Sequence, residues 1–291
     1  MTTPSGRGDA EAGTRNLIVR VVSAAVLAPI VLAIAYLGGW IFLILCGLAA
    51  AGIFWEWTHL IAGRAELRLL APGWAALLAA LVLLGLGYSA MAALAIALGA
   101  LLVGAVTLGG AAGQGVGMSF IPWATGGVIY AGIGFLGPAL LRNDGKFGFQ
   151  AFLFVALIVW LTDILAYFVG RGLGGPRLWP RVSPNKTWSG AFGGLVGGVA
   201  GGIAVAYASG IGRWASIGVI ALALSLLAQA GDLFESAIKR RFGAKDSGRI
   251  IPGHGGLMDR LDGFLFAAAA AALIGILHAG TGAAAQGLLL W

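Results

Sequence analysis

Charged side chains are scarce. Asp, Glu, Lys and Arg together make up 10% of the 291 residues, where a soluble domain carries about 25%. So few charges cannot clothe a water-facing globule of this size. They also exclude a disordered chain, which is polar and charge-rich. Cysteine is almost absent. The single Cys46 excludes an internal disulfide framework and a cysteine-based zinc site. Set in an apolar run, it reads as a small buried hydrophobe. A Gly-X-Y period is missing although Gly numbers 50, so collagen is out. What the chain has is 59% hydrophobic residues. Together these point to an all-α, polytopic integral membrane protein, in which Gly and Ala let helices approach closely. The net charge of +7 then reads as Lys and Arg in cytoplasmic loops beside anionic headgroups, not as a nucleic-acid surface.

A helix needs about 20 apolar residues to cross the hydrocarbon core. Residues 1–16 form a polar tail. Runs of that kind follow at 17–37, 39–55, 69–87, 89–109, 119–141, 148–170, 190–211, 214–234 and 263–280, which predicts about nine spans. The first reads as a retained helix, because no polar cleavage region follows it. With the N-terminus inside, nine spans place 15 of the 18 Lys and Arg on the inner side and Arg142, Lys146 and Arg213 outside, a strong positive-inside signal. Most tryptophans fall near span ends, as in an aromatic belt. Gly193, Gly194, Gly197, Gly198, Gly201 and Gly202 recur every four residues and predict a close-packing helix face. Three segments result: the tail, an N-terminal membrane region over 17–141, and a region over 148–280 that holds most of the polar chemistry.

Two inner loops carry that chemistry. Residues 170–187 hold Arg171, Arg177, Arg181 and Lys186 with no acid. Residues 232–262 hold five of the eleven carboxylates, namely Asp232, Glu235, Asp246, Asp259 and Asp262, with six Lys or Arg and His254. Asp232, Glu235, Ser236 and Lys239 lie at i, i+3, i+4 and i+7, on one helix face. Asp232 falls at the membrane interface, where an acid is costly unless paired or metal-bound. Asp259 and Asp262 share a face at the start of the last span, so two helices can aim Asp232 and Asp259 at one point. Oxygen ligands of this kind suit Mg2+, which completes its shell with water and substrate phosphates. Between them, Pro252, Gly253, His254, Gly255 and Gly256 offer backbone amides to an anion. Asp163, the one formal charge inside its span, reads either as a group facing the same site or as a packing hydrogen bond. Glu56 reads as an interfacial partner for Arg64 or Arg68. Acids and cations at one membrane face serve a polyphosphate and an anionic lipid, where catalysis is positioning and charge neutralisation.

The run SAIKRRFGAKDSGRIIPGHGGLMDRLD over 236–262 resembles the signature of phosphatidate cytidylyltransferases, matching every specified position. A second segment is similar to the same family: Asp163, Ala166-Tyr167, Gly170-Arg171, Gly174 and SPNKTWSG over 183–190. It departs from the common family pattern at Asn185, where Lys is usual, and at Ser189, where Glu is usual. The likeness is specific over about 155–264. Over 1–140 it rests on the apolar helix pattern and Glu56-Trp57. The resemblance implies an all-helical membrane fold, a homodimer, and CTP and phosphatidate as substrates giving CDP-diacylglycerol and pyrophosphate with Mg2+, a second cation being left open. It implies Asp232 and Asp259 as metal ligands with Asp246 and Asp262 beside them. Phosphate contacts would come from Ser183, Lys186, Lys239, Arg240, Lys245, His254 and Arg260. Asp163, Arg171, Thr187, Ser236, Gly255 and Gly256 complete the expected substrate site. For His254 a phosphate contact or structural bond ranks above a general base. The location implied is the inner cell membrane, with the N-terminus and active-site loops cytoplasmic. A transporter ranks low, because its charges would be spread through several helix centres. A CTP-dependent polyprenol kinase or an ether-lipid synthase ranks second.

Overall fold

In a computed structural model, the described residues are 25–114, 118–248, 250 and 255–291; of the signature run, Arg249 and residues 251–254, His254 among them, lie outside these. The elements are α1 (Ala25–Leu37), α2 (Gly39–Ala62), α3 (Leu67–Gly85), α4 (Ser89–Gln114), α5 (Ile121–Arg142), α6 (Gly148–Leu173), β1 (Arg177–Trp179), β2 (Ser183–Thr187), α7 (Trp188–Ala208), α8 (Trp214–Arg241), α9 (Met258–Ala279) and α10 (Ala284–Leu289). Among the described residues, eight helices are long and apolar enough to cross a membrane. The first expected span, 17–37, is described only from Ala25, as α1. The protein is thus a multi-pass, all-α membrane protein. Several helices outrun their apolar stretches: α2 continues to Ala62, α8 to Arg241, and α9 begins at Met258. Hydropathy marks where a helix meets lipid, not where its hydrogen bonds stop.

The small residues set the helix spacing. Gly194, Gly197, Gly198, Gly201 and Gly202 are buried on α7. A β-carbon at Gly197 would stand 2.6 Å from the Leu161 carbonyl oxygen, and one at Gly194 2.9 Å from that of Thr162. Backbone therefore packs on backbone between α6 and α7, as the four-residue glycine period predicts. Thr162 and Ser225 share a buried 2.7 Å hydrogen bond that ties α6 to α8. Cys46 is buried within a core drawn mainly from α1–α5 and α9, with Phe152 and Ala156 of α6 and Ile238 of α8, as expected.

Two features escape a hydropathy reading. The loop after α6 folds as an antiparallel ribbon, pairing Arg177 with Thr187 and Trp179 with Ser183. Its Pro and Gly density hides two strands this short, and Pro184 is tolerated because the ribbon has only edges. The apolar tail is also ordered. Leu288 and Leu289 of α10 are fully buried. Asp144, buried in the α5–α6 turn, accepts from the amides of Lys146 (2.9 Å), Phe147 (3.2 Å) and Gln286 (3.0 Å). Next to it, Arg142 donates to the carbonyls of Ala35 and Tyr36 at the end of α1.

Candidate active site

The site forms where α8 and α9 touch, and small residues make the touch possible. A β-carbon at Gly231 would stand 2.6 Å from the Asp262 carbonyl oxygen, and one at Gly263 3.0 Å from that of Ala228. This close approach brings the neighbouring acids together: carboxylate oxygens of Asp232, Glu235 and Asp262 lie within 4.8 Å of one another. Glu235 is 1% exposed. Its Oε2 meets Lys239 Nζ at 2.7 Å, while Oε1 is buried with no hydrogen-bond partner among the described residues. Three crowded acids with an orphaned buried oxygen form a donor set suited to a hard divalent cation. Asp232 also pairs with Lys186 of β2 and accepts from Ser236 Oγ at 3.4 Å. The ribbon therefore has a positional role, carrying a cation from between α6 and α7 to the acid cluster.

Asp259 stands beside Glu235 and Lys239, whose Nζ lies 2.5 Å from its Oδ1. Its Oδ2 accepts from Ser247 N, Ser247 Oγ and Gly256 N, each at 3.0 Å. Both Asp259 oxygens are thereby engaged, and Glu235 links Asp259 to the cluster it forms with Asp232 and Asp262. The signature loop folds around this carboxylate. Gly255 has φ +88°, and a β-carbon at Gly256 would stand 2.9 Å from Asp259 Oδ2 and from Glu56 Oε1. Glycine is needed at both positions.

Glu56 corrects the sequence reading. It does not pair with Arg64 or Arg68. Arg64 meets Glu66 at 2.5 Å, and Glu56 is fully buried. Its carboxylate accepts from Leu257 N (2.9 Å), Met258 N (2.7 Å) and Ser247 Oγ (3.2 Å). The first amides of α9 have no intrahelical acceptor, and Glu56 supplies one from 201 residues away. A lone acid in an apolar run demands donors, and beside the Glu56-Trp57 resemblance that is its signal in the sequence. A continuous chain of polar contacts results, from Glu56 through Ser247, Asp259 and Lys239 to Glu235.

Beside Asp232 opens a cavity of about 690 Å3, lined by Asp163, Arg171, Arg177, Lys186 and Thr187, with Asn185 and Gln229. Asp163, Arg171, Lys186, Thr187 and Asp232 are thus brought to one cavity. Thr187 also caps α7, accepting from Gly190 N at 3.1 Å. The Ser183 side chain is half-buried on β2, paired with Trp179. Arg240 turns to the Ala244 carbonyl at 3.1 Å, closing the end of α8. Lys245, Asp246 and Arg260 are exposed at the same end of the bundle. His254 lies outside the described residues.

A sequence profile described as the cytidylyltransferase family matches residues 18–277. The chain belongs to the cytidylyltransferase family. Its relatives include the phosphatidate cytidylyltransferase of Brucella abortus biovar 1 (strain 9-941), 45% identical over 271 residues, or 91% of this chain and 95% of that one. The Brucella melitensis biotype 1 protein of the same name is 44% identical over the same extent. That of Staphylococcus aureus (strain COL) is 43% identical over 141 residues, 48% of this chain and 53% of that one. The family match spans both cationic loops, the acid cluster and Glu56, so the cytidylyltransferase likeness reaches well into the N-terminal helices.

Proposed function

We propose that the protein is a phosphatidate cytidylyltransferase, converting CTP and phosphatidate to CDP-diacylglycerol and pyrophosphate. The observation that carries this reading is the cluster of Asp232, Glu235 and Asp262 beside a cation-lined cavity, in a chain 45% identical over 91% of its length to a protein of that name. An oxygen of the lipid phosphate attacks the α-phosphorus of CTP. A new P–O bond forms, the bond from the α-phosphorus to the bridging oxygen breaks, and pyrophosphate leaves with that electron pair. Phosphatidate is itself the nucleophile, so no protein nucleophile is required. Lys186, Arg171 and Arg177 line the cavity and hold the triphosphate in line, where fixed cations favour the charge developing on the leaving group. Lys239 holds Glu235 and Asp259 in register. Asp232, Glu235 and Asp262 would hold Mg2+, which when bound neutralises phosphate charge and polarises the phosphorus under attack.

The inner cell membrane is the location that fits, with the active-site loops in the cytoplasm on the 15-to-3 division of cations. A homodimer accords with the family resemblance. The test supplies purified protein with Mg2+, CTP and phosphatidate and follows CDP-diacylglycerol in the lipid extract by mass spectrometry, with pyrophosphate in the water phase. Equal amounts of both products are expected. Transfer of the CTP γ-phosphate to a lipid alcohol, with CDP released, would replace this reading with a lipid kinase.

A further inference from the structure

Two buried polar side-chain atoms lack a hydrogen-bond partner among the described residues: the Tyr130 hydroxyl and Glu235 Oε1. They are complementary, because a phenol donates and a carboxylate oxygen accepts. They also belong to one place. Tyr130 of α5 is 6% exposed. Its ring is walled by three others, with centroids at 5.1 Å for Trp57, 6.0 Å for Phe234 and 6.3 Å for Phe266. Phe234 immediately precedes Glu235 on α8, and Phe266 follows Asp262 by four residues, on the same face of α9. The ring therefore lies across the α8–α9 seam, beside the acids. Asp262, Glu235, Asp259 and Asp232 all act on it through space.

A ring needed only for packing does not need the oxygen. Burying an unpaired hydroxyl is costly, and phenylalanine fills the same space without that cost. The acid cluster, in turn, has a use for a donor. Carboxylates that hold a cation keep further lone pairs, and hydrogen bonds to these fix the orientation of the ligands. Donors already reach the cluster from β2, α8 and α9. Lys186 and Ser236 serve Asp232, Lys239 serves Glu235 Oε2, and Gly263 N donates to Asp262 Oδ1 at 2.7 Å. Glu235 Oε1 is left over, and α5 brings the Tyr130 hydroxyl to the same acids.

We propose that Tyr130 is a positioning residue of the metal site. Its hydroxyl donates to the carboxylates of Glu235 and Asp262, directly or across a water that the cation brings, and so fixes the orientation in which they hold Mg2+. This inference rests on the reading of Asp232, Glu235 and Asp262 as the Mg2+ ligands. It extends the site from α8 and α9 to α5, so that a helix of the N-terminal membrane region shapes the metal chemistry, as Glu56 of α2 shapes the signature loop.

The test uses Tyr130→Phe, which removes one oxygen and keeps the ring. Purified wild type and variant, stripped by a chelator, are titrated with Mn2+ alone, an oxygen-seeking stand-in for Mg2+, and free Mn2+ is read by electron paramagnetic resonance. The variant should bind Mn2+ about tenfold more weakly, the usual scale for loss of a ligand's hydrogen-bond partner. Without metal it should melt no lower than wild type, because the oxygen it lacks was unpaired. In the transfer assay the Mg2+ concentration for half-maximal rate should rise about tenfold. Mn2+ affinities equal within about twofold overturn the proposal. Weaker binding joined to a metal-free Tm lowered by more than about 5 °C also overturns it, because loosened packing then explains the loss. Should Tyr130→Phe fail to fold, carbon-13 at the hydroxyl-bearing ring carbon of tyrosine is followed by NMR as Mg2+ is added. Tyr167 also lines the cation-lined cavity, so the labelled protein carries Tyr167→Phe. One remaining tyrosine signal should shift, and no shift overturns the proposal. A wild type that binds no Mn2+ overturns the metal site and this proposal with it. A wild type that binds Mn2+ yet transfers no cytidylyl group sinks the proposed activity, while weaker binding by Tyr130→Phe still supports Tyr130 at the metal.

Discussion

Truncating Glu56 to alanine should cripple the enzyme from a residue that touches neither substrate. The carboxylate satisfies three buried donors, Leu257 N, Met258 N and Ser247 Oγ. Each donor left unsatisfied costs about 1–3 kcal/mol, and relaxation of the loop recovers part of that. A loss on the order of 4 kcal/mol is expected, which for a chain of this size lowers Tm by roughly 10 °C. The catalytic effect follows from Ser247, which donates both to Glu56 (3.2 Å) and to Asp259 (3.0 Å). Once Glu56 is gone, Asp259 and Lys239 lose their register against Glu235. Misplacement of about 1 Å at such a site costs about 100-fold. The assay is cytidylyl transfer in detergent beside a thermal melt, for Glu56→Ala, Glu56→Gln and Ser247→Ala. Glu56→Gln should fall between wild type and alanine, because its amide faces a donor with a donor. Combined with Ser247→Ala, Glu56→Gln should lose less than the sum of the two changes, as expected within one network. A Glu56→Ala protein with Tm within about 2 °C of wild type and kcat within threefold would refute the reasoning.

Other expectations concern the fold. Asp144 is pushed up by burial but held lower overall by the amides of Gln286, Lys146 and Phe147, so its carboxyl titrates below the usual carboxylate range. Its contribution to stability is therefore present above about pH 4, the ordinary value, and is lost as pH falls through the lower folded value. Tm measured from pH 7 to pH 3 should fall more steeply in wild type than in Asp144→Asn, which lacks that titration; parallel curves would contradict the clasp on α10. Gly197→Leu should force α6 from α7, because even a β-carbon would stand 2.6 Å from the Leu161 carbonyl. Overpacking of this kind costs about 1–3 kcal/mol or more, and a melt indistinguishable from wild type would show that the helices do not meet there.

The sequence made some of this legible and hid the rest for physical reasons. Spans follow from hydropathy, and the Gly197 face from a four-residue period. Asp232, Glu235 and Lys239 share a face because helical spacing is local. What spacing cannot fix is how one helix is rotated against another. Asp232 and Asp259 are both on the right faces, yet Gly231 and Gly263 set a contact at which Asp262, one turn further on, joins Asp232 and Glu235. Lys186 reaches Asp232 through a ribbon too short to show a strand pattern. Glu56 meets α9 across 201 residues, and two of its three donors are backbone amides, which carry no residue identity to read. The same limit hid Tyr130, an aromatic at helical spacing like any core residue until its hydroxyl is seen without a partner.

The most direct measurement follows CTP labelled on its α-phosphate, with Mg2+ and phosphatidate, into the lipid phase. Wild type is compared with Asp232→Asn and Asp262→Asn, each matched to it in thermal melt. The account predicts transfer by wild type and a loss on the order of 100- to 1,000-fold in either variant, the usual cost of removing one fixed electrostatic contact to a transition state. Wild-type transfer in both variants would contradict a reaction centred on these acids.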